Sequence, residues 1–444
     1  MKYSSIFIAN LSEIAKPLTQ AMSQSKRETE IFEDHAYCDR FVWADDDRRV
    51  LVTPFPLDPQ FFQDANTLLD FRHVINLYPQ KINGSICHTI LNEDRQLLQQ
   101  IISIIKDNPG IKITSYAATT EFLELVTYLQ KQGLLIVTPE TPTNADQWVS
   151  SFVDSKTGFR QTWAQLNGQL PPMPEGAICR QQEELLGWSK HLYHQHQGIV
   201  LKINRGLAGE GIIIINQPNL NDDQLEKIIK ENSTQLYWSQ DMVVVEEYIA
   251  PNISVAGGFP SIEFQITQGQ TSYLYVCGMR INPQGVFMGM EIGKGAIDGR
   301  IEKTLVKYGR KFARHLAELG YQGFFDIDWV YSQDHDYYPL EANLRRTGGT
   351  HAYELATRIL GDDFDEKFYL ISQNKIQAPK LSGLSYQQVK STLKTLLFPI
   401  NNKQEGAIIT MMNYLTKGWF GYVIIANKKQ RAKAIEKNLL ANLQ

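Results

Sequence analysis

The chain has 444 residues, a formal net charge of -4, a hydrophobic fraction of 43% and a charged fraction of 21%. This length suggests about two to three domains with ample core, and the balance is that of an ordinary globular protein, not of a nucleic-acid binder that relies on phosphate attraction. The scattered cysteines Cys38, Cys87, Cys179 and Cys277 lack CxxC spacing, which argues against a disulfide framework or a zinc site, and no apolar run approaches the ~20 residues of a transmembrane helix.

In chain order, Ile6-Phe7-Ile8-Ala9 reads as a short strand that soon turns polar, unlike a secretory apolar region, so a cytoplasmic protein with no membrane partner is expected. Arg49-Val50-Leu51-Val52-Thr53 and His73-Val74-Ile75-Asn76-Leu77 read as further strands. Residues from Glu121 to Gln132 have helical spacing and stop at Gly133, and Leu134-Leu135-Ile136-Val137 then reads as a buried strand. Strand, helix, glycine, strand is the pattern of a parallel α/β sheet, although GxGxxG is absent here. The Pro- and Thr-rich run from Thr138 to about residue 145 is a linker candidate.

Gly198 to Asn204 is an apolar strand carrying Lys202, and it leads through Arg205-Gly206-Leu207-Ala208-Gly209-Glu210-Gly211 into a second strand, Ile212–Ile215. The tip of such a hairpin can close over phosphates, because glycines let backbone N–H groups approach the oxygens, while Lys202 supplies a point charge. The loop is neither a Walker nor a Rossmann turn, and Gly293-Lys294-Gly295 also lacks the Ser or Thr of a P-loop. Met242 to Ile249 is a continuous apolar strand carrying Glu246 and Glu247, and its emerging end can recognise a flat ring bearing an exocyclic amine.

Gly323 to Val330 and Tyr338 to Asn343 each alternate apolar and polar residues around a turn at Ser332–Asp336, which predicts a β-hairpin. Glu341 and Asn343 then share a face, and the paired strand can bring Asp328 against them. Three converging oxygen donors suit a hard divalent cation, most simply Mg²⁺ carrying a nucleotide phosphate. His191, His194 and His196 have spacings that fit neither one helix face nor one strand face, so a solvated helix end is expected. Beyond Ala378 a helix is expected over Tyr386 to Leu397, then strands at Gly406 and Gly421. The run Lys428, Lys429, Arg431 and Lys433 is read as a solvated face of a closing helix.

In this order, Lys156 in Val153-Asp154-Ser155-Lys156, Lys202 with its glycine loop, Val243-Val244-Val245-Glu246-Glu247, and the Asp328, Glu341, Asn343 hairpin resemble the ATP-grasp superfamily. The gap between the two lysines is in the family's range, and the match covers about half of the chain. Asn343-Leu344-Arg345-Arg346-Thr347-Gly348-Gly349-Thr350-His351 further resembles the pheganomycin-type peptide ligases.

The resemblance implies a multidomain α/β and α+β chain. A Rossmann-like pre-ATP-grasp domain would occupy 1–145, an ATP-grasp domain 146–377 (146–250 covering the nucleotide, 251–377 carrying metal and substrate), and a small α+β domain 378–444. It implies that ATP and Mg²⁺ serve a carboxylate–amine ligation whose product is peptide-like. Lys156 and Lys202 would hold the α- and β-phosphates, with Gly206, Gly209 and Gly211 over the β/γ end. Glu246 would approach the adenine amine, the backbone of Glu247 and Ile249 would complete that edge, and Asp328, Glu341 and Asn343 would bind the metal.

Arg280 and Arg345 are the candidates for gripping an acyl phosphate or substrate carboxylate, and the Gly348-Gly349 backbone for oxyanion donors. His351 is read as either a substrate contact or a helix N-terminal residue. Family members often carry Arg where Asp326 stands, and the ribose-contacting acid has no clear counterpart near Pro251-Asn252. A ligase acting on a non-peptide metabolite, a kinase, and a non-catalytic nucleotide-binding protein stay open as alternatives. Pairing into a homodimer through the C-terminal helices or the N-terminal domain is compatible with the sequence.

Overall fold

The computed structural model describes residues 2–443 except 45, 197, 207 and 208, so the tip of the glycine loop at Leu207-Ala208 lies outside the described residues. The described strands form three sheets. In the first, β1 (Ser5–Ile8), β2 (Arg49–Val52), β3 (Ile75–Leu77), β4 (Ile111–Ser115) and β5 (Ile136–Val137) run parallel in the order β3-β2-β1-β4-β5. β1 and β2 are apolar along most of their length because helices cover both faces of a parallel sheet, Arg95–Asp107 and Thr120–Lys131 among them. Helix Thr120–Lys131 ends before Gly133, whose φ of +74° turns the chain back as the sequence predicts.

The strand expected at Leu134–Val137 is shorter and more exposed than anticipated. Only Ile136 and Val137 pair, at the sheet edge, and Leu135 and Val137 are 68% and 48% exposed. An edge strand has neighbours on one side only, so an apolar run there does not ensure burial.

The second sheet is antiparallel: β6 (Gly176–Cys179), β7 (Ile199–Ile203), β8 (Ile212–Ile215) and β9 (Val243–Glu247), in the order β6-β9-β7-β8. Strand period two sorts its side chains. Ile199, Leu201, Ile213 and Val245 pack under helices Gln182–His196 and Asp222–Asn232, leaving the other face free for a cleft.

The third sheet comprises β10 (Pro260–Thr267), β11 (Gln270–Ile281), β12 (Phe287–Gly293), β13 (Gly323–Tyr331), β14 (Tyr337–Asn343), β15 (Tyr369–Gln377), β16 (Gly406–Met411) and β17 (Trp419–Ala426). Its order is β14-β13-β10-β11-β12-β15-β17-β16, with every neighbouring pair antiparallel. Helix Gly299–Glu318 covers one face, where Phe264, Phe312, Phe325 and Trp329 are buried. Gly309 lets the helix approach, since a Cβ there would meet the Phe264 ring at 2.4 Å.

The segment beyond Ala378 extends this sheet instead of forming one of its own, because β15 pairs with β17. Helix Tyr386–Leu393 stops short of Leu397, which bridges to Ala407 while the Phe398 N–H donates to the Ala407 carbonyl. The basic run on helix Lys429–Leu443 is not simply solvated. Lys429 and Lys433 pair with Glu291 and Arg431 with Glu405, while Ala432, Ile435 and Leu439 are buried. No helix among the described residues is long and apolar enough to cross a membrane.

Arg346 joins the first and third sheets. Its guanidinium pairs with Glu140, from the expected linker, and with Glu354, and lies 4.0 Å from the Phe324 ring centroid.

Candidate active site

A cavity of about 310 Å³ lies between the free face of the second sheet and the third sheet, and is closed at one end by residues of the N-terminal part. The second sheet contributes Val200, Lys202, Ile212, Ile214 and Glu246, one face by strand alternation. The third contributes Ser261, Cys277, Met279, Asp326, Asp328 and Glu341.

Asp328 lies directly across from Glu341, and Asp326 from Asn343, on the β13–β14 ladder. Asn343 donates through its amide to Asp326 Oδ1 at 2.8 Å and to Asp328 Oδ2 at 3.4 Å. Burial, and then the Glu341 charge, push the Asp328 carboxyl up to about 7, while burial and the Asp328 charge push Asp326 well above the carboxylate range. Burial also raises Glu341, but the charges of Lys156, Lys202 and Arg345 outweigh it and hold that carboxyl below its ordinary value. Lys156 ion-pairs with Glu341.

Asp328 Oδ1 is buried without a hydrogen-bond partner. An orphaned buried oxygen beside a second carboxylate is relieved by a cation, so Asp328, Glu341 and the Asn343 amide oxygen fit Mg²⁺, with the remaining positions left to phosphate and water. Among the described residues no group of three or more His, Cys, Asp or Glu could hold a metal. A two-carboxylate site therefore depends on the ligand's own oxygens.

The two lysines are fixed to each other. Lys156 opens helix Lys156–Ala164, capped by Ser155, whose hydroxyl accepts from the Gly158 N–H at 3.0 Å. Asn204, two residues past Lys202, accepts the Lys156 N–H through its carbonyl at 3.0 Å, and its side chain accepts from the Thr157 N–H and hydroxyl.

Glu246 is not turned to a free edge. Lys202 binds one oxygen at 2.5 Å and Arg160 the other at 2.7 Å, so its carboxylate is committed to two cations. The Glu247 carboxylate accepts from the Glu175 N–H, so what it and Ile249 offer the cavity is the emerging strand end, next to Tyr248. Gly209 lines the cavity and Gly206 a neighbouring one, whereas Gly211 lines neither. Gly209 has φ +93°, and a Cβ there would lie 2.8 Å from the Gly285 carbonyl oxygen, so this loop rests on the β11–β12 turn.

The structure separates the two candidate arginines. Arg345 lines the cavity and pairs with Asp154 at 2.6 Å, and its Nε is buried without a partner. Arg280 does not reach the cavity. Met279 and Ile281 on either side point there, so alternation turns Arg280 to the opposite face, where it pairs with Glu436. Gly348 and Gly349 both line the cavity, but the Gly349 N–H already donates to the Thr347 hydroxyl at 3.3 Å. This loop is clamped by buried Glu263, which accepts from Tyr275, Thr347 and Thr350 hydroxyls, and burial pushes its carboxyl up to about 7.

His351 is the second residue of helix Thr350–Leu360 and is buried away from the cavity. His194 and His196 pair with Asp222 and Glu175 at the helix end. Arg160 and the apolar residues Val200, Ile212, Ile214 and Met279 carry no motif, and only their strand or helix parity could have suggested them.

No protein-family model and no curated protein matches the sequence. Solved structures do match, and the fold they share with this chain is the ATP-grasp fold, a parallel-sheet N-terminal part followed by antiparallel sheets. The biotin carboxylase–β,γ-ATP complex from Campylobacter jejuni is 14% identical with a TM-score of 0.57, over 99% of this chain and 91% of that one. The ADP complex of N5-carboxyaminoimidazole ribonucleotide synthetase is 11% identical with a TM-score of 0.55, over 99% and 97%. The N5-carboxyaminoimidazole synthase from Aspergillus clavatus, in complex with ADP and 5-aminoimidazole ribonucleotide, is 11% identical with a TM-score of 0.54, over 100% and 99%.

Proposed function

We propose that the chain is an ATP- and Mg²⁺-dependent ligase that activates a carboxylate and joins it to an amine. The observation that carries this reading is the placement of Asp328 against Glu341, with Lys156 on Glu341 and Lys202 across the same cleft. Bound Mg²⁺ would neutralise charge on the transferring phosphoryl group.

Lys202 and Lys156 hold the phosphates, and the apolar face of Val200, Ile212 and Ile214 packs against the adenine. A substrate carboxylate oxygen attacks the γ-phosphorus, the bond to the β–γ bridging oxygen breaks, and ADP leaves. Arg345, held by Asp154, steadies the acyl phosphate. The amine nitrogen then attacks the carbonyl carbon, the carbon–oxygen bond to phosphate breaks, inorganic phosphate departs, and water takes the amine proton. No side-chain nucleophile takes part. Supporting this reading, the structural neighbours named above are complexes with ADP or β,γ-ATP. They are named for non-peptide substrates, which favours a non-peptide metabolite over a peptide as the amine partner.

The test is release of ADP and phosphate from Mg-ATP with pooled small carboxylates and amines, beside Glu341→Ala, with mass spectrometry of products. ADP together with a new amide, both lost in the variant, is the expected result. ADP release without an amine, leaving a stable phosphomonoester, would make the protein a kinase instead.

A further inference from the structure

At the end of the cavity formed by the N-terminal part stands Arg40, 5% exposed, in the segment Tyr37–Trp43. Its guanidinium carbon lies 5.6, 5.3 and 5.8 Å from the ring centroids of Tyr37, Phe41 and Tyr116. Among the described residues no carboxylate ion-pairs with it, no partner binds its guanidinium, and its Nε is buried. A buried guanidinium is ordinarily paired, as Arg345 and Arg346 are here, because an isolated buried charge costs several kcal/mol.

Neither nearby acid ion-pairs with Arg40, whose charge lowers the carboxyls of both Asp34 and Asp39 without offsetting the burial that raises them. Asp39 spends one oxygen on the Met412 and Asn413 N–H groups, at 2.5 and 2.7 Å. Asp34 lines the cavity but forms no ion pair with Arg40, and burial, with the charges of Glu30 and Glu33, pushes its carboxyl up to about 8. Lys375 is taken by Glu33. Three aromatic faces, Leu11 and Met290 surround the site with apolar surface.

We infer that Arg40 anchors a carboxylate of the substrate, one distinct from the carboxylate that is activated. The activated group must sit beside Asp328, Glu341 and Arg345, whereas Arg40 stands in the wall of the cavity formed by the N-terminal part, against the rings of Tyr37 and Tyr116. The ligand class is therefore a small carboxylic acid with an apolar or aromatic body. A guanidinium fork takes such a carboxylate bidentately, and aromatic stacking holds the fork in place before the ligand arrives. That this acid is a substrate of ligation rests on the proposed function, whereas carboxylate binding at Arg40 does not.

Calorimetric titration separates the two. Phenylacetate and L-phenylalanine are compared with phenylacetamide and L-phenylalaninamide, and MgADP is titrated in parallel, on the full chain and on Arg40→Gln and Arg40→Lys. The acids should bind the parent protein at least about tenfold more tightly than the amides, and Arg40→Gln should weaken the acids by about 10–100-fold, the worth of a charge-assisted hydrogen bond. Arg40→Lys should fall between, and MgADP should bind all three proteins alike, which shows that the variants fold. Equal binding of acid and amide, no binding of either acid, or an unaffected Arg40→Gln would overturn the assignment. Failure of MgADP to bind the parent protein would instead remove the ligase reading, whatever the acids do.

Discussion

Asn204 and Thr157 are joined twice, the Asn204 Oδ1 accepting from both the Thr157 N–H at 3.1 Å and its hydroxyl at 2.9 Å. The pair ties the strand of Lys202 to the helix of Lys156, so the spacing of the two lysines proposed to hold phosphate depends on one buried amide. Asn204→Ala leaves both donors without that acceptor and Asp241 Oδ2 without the Asn204 amide, though the Met242 N–H still binds Asp241 Oδ1. It should destabilise the protein by about 1–3 kcal/mol and raise the KM for ATP more than it lowers kcat. Thermal unfolding with steady-state kinetics reads both, and an unchanged KM would mean that the lysines are held independently.

Asp328→Asn should separate stability from function. The substitution removes a buried charge facing Glu341, so the melting temperature in metal-free buffer should rise. Stabilisation by Mg-ADP should shrink, and turnover should fall by about 10²–10³-fold, the scale seen when one transition-state partner is lost. Differential scanning fluorimetry with and without Mg-ADP checks the first two effects.

His35 sets an acid limit in the N-terminal part. It is buried, its Nε2 lies 2.6 Å from the Gly84 carbonyl oxygen, and burial lowers its pKa to about 4 from an ordinary 6.5. Between those values the unfolded chain binds more protons than the folded one. Stability is therefore full above about pH 6.5 and is lost as pH falls towards 4, by up to ~3 kcal/mol. His35→Gln should flatten this part of the stability–pH profile in urea unfolding from pH 4 to 7.

Arg346→Ala should be among the most damaging substitutions outside the cleft. It strips Glu140 and Glu354 of their shared cation in a buried place, a change that costs about 3–5 kcal/mol. Because the arginine bridges the first and third sheets, limited proteolysis should cut the variant between residues 138 and 146 where the parent resists.

The hairpin of Asp328 and Glu341 was legible because strict alternation fixes both the element and the face, and the turn at Ser332–Asp336 fixes which strands pair. The parallel sheet was legible for the same local reason. Arg280 was misplaced because a strand residue's face depends on parity, and nothing local indicated that Met279 and Ile281 are the inward pair. The joining of β15 to β17 within the third sheet depends on pairing between distant segments, which no short pattern encodes. Arg40 and Arg160 lie in helical stretches without motif, and their significance arises only from what surrounds them.

The grip of Asp39 on the Met412 and Asn413 backbone has a consequence for how the protein comes into being. The wall that carries Arg40 is held by residues synthesised some 370 positions later, whereas the hairpin of Asp328 and Glu341 closes from neighbouring chain. During synthesis the Asp328–Glu341 end of the cleft can therefore mature first, and the Arg40 end waits for β16 and β17. Contacts of such long sequence separation form slowly. A newly made chain would pass through a stage in which the Asp328–Glu341 hairpin is formed and the Arg40 wall of the cleft is not.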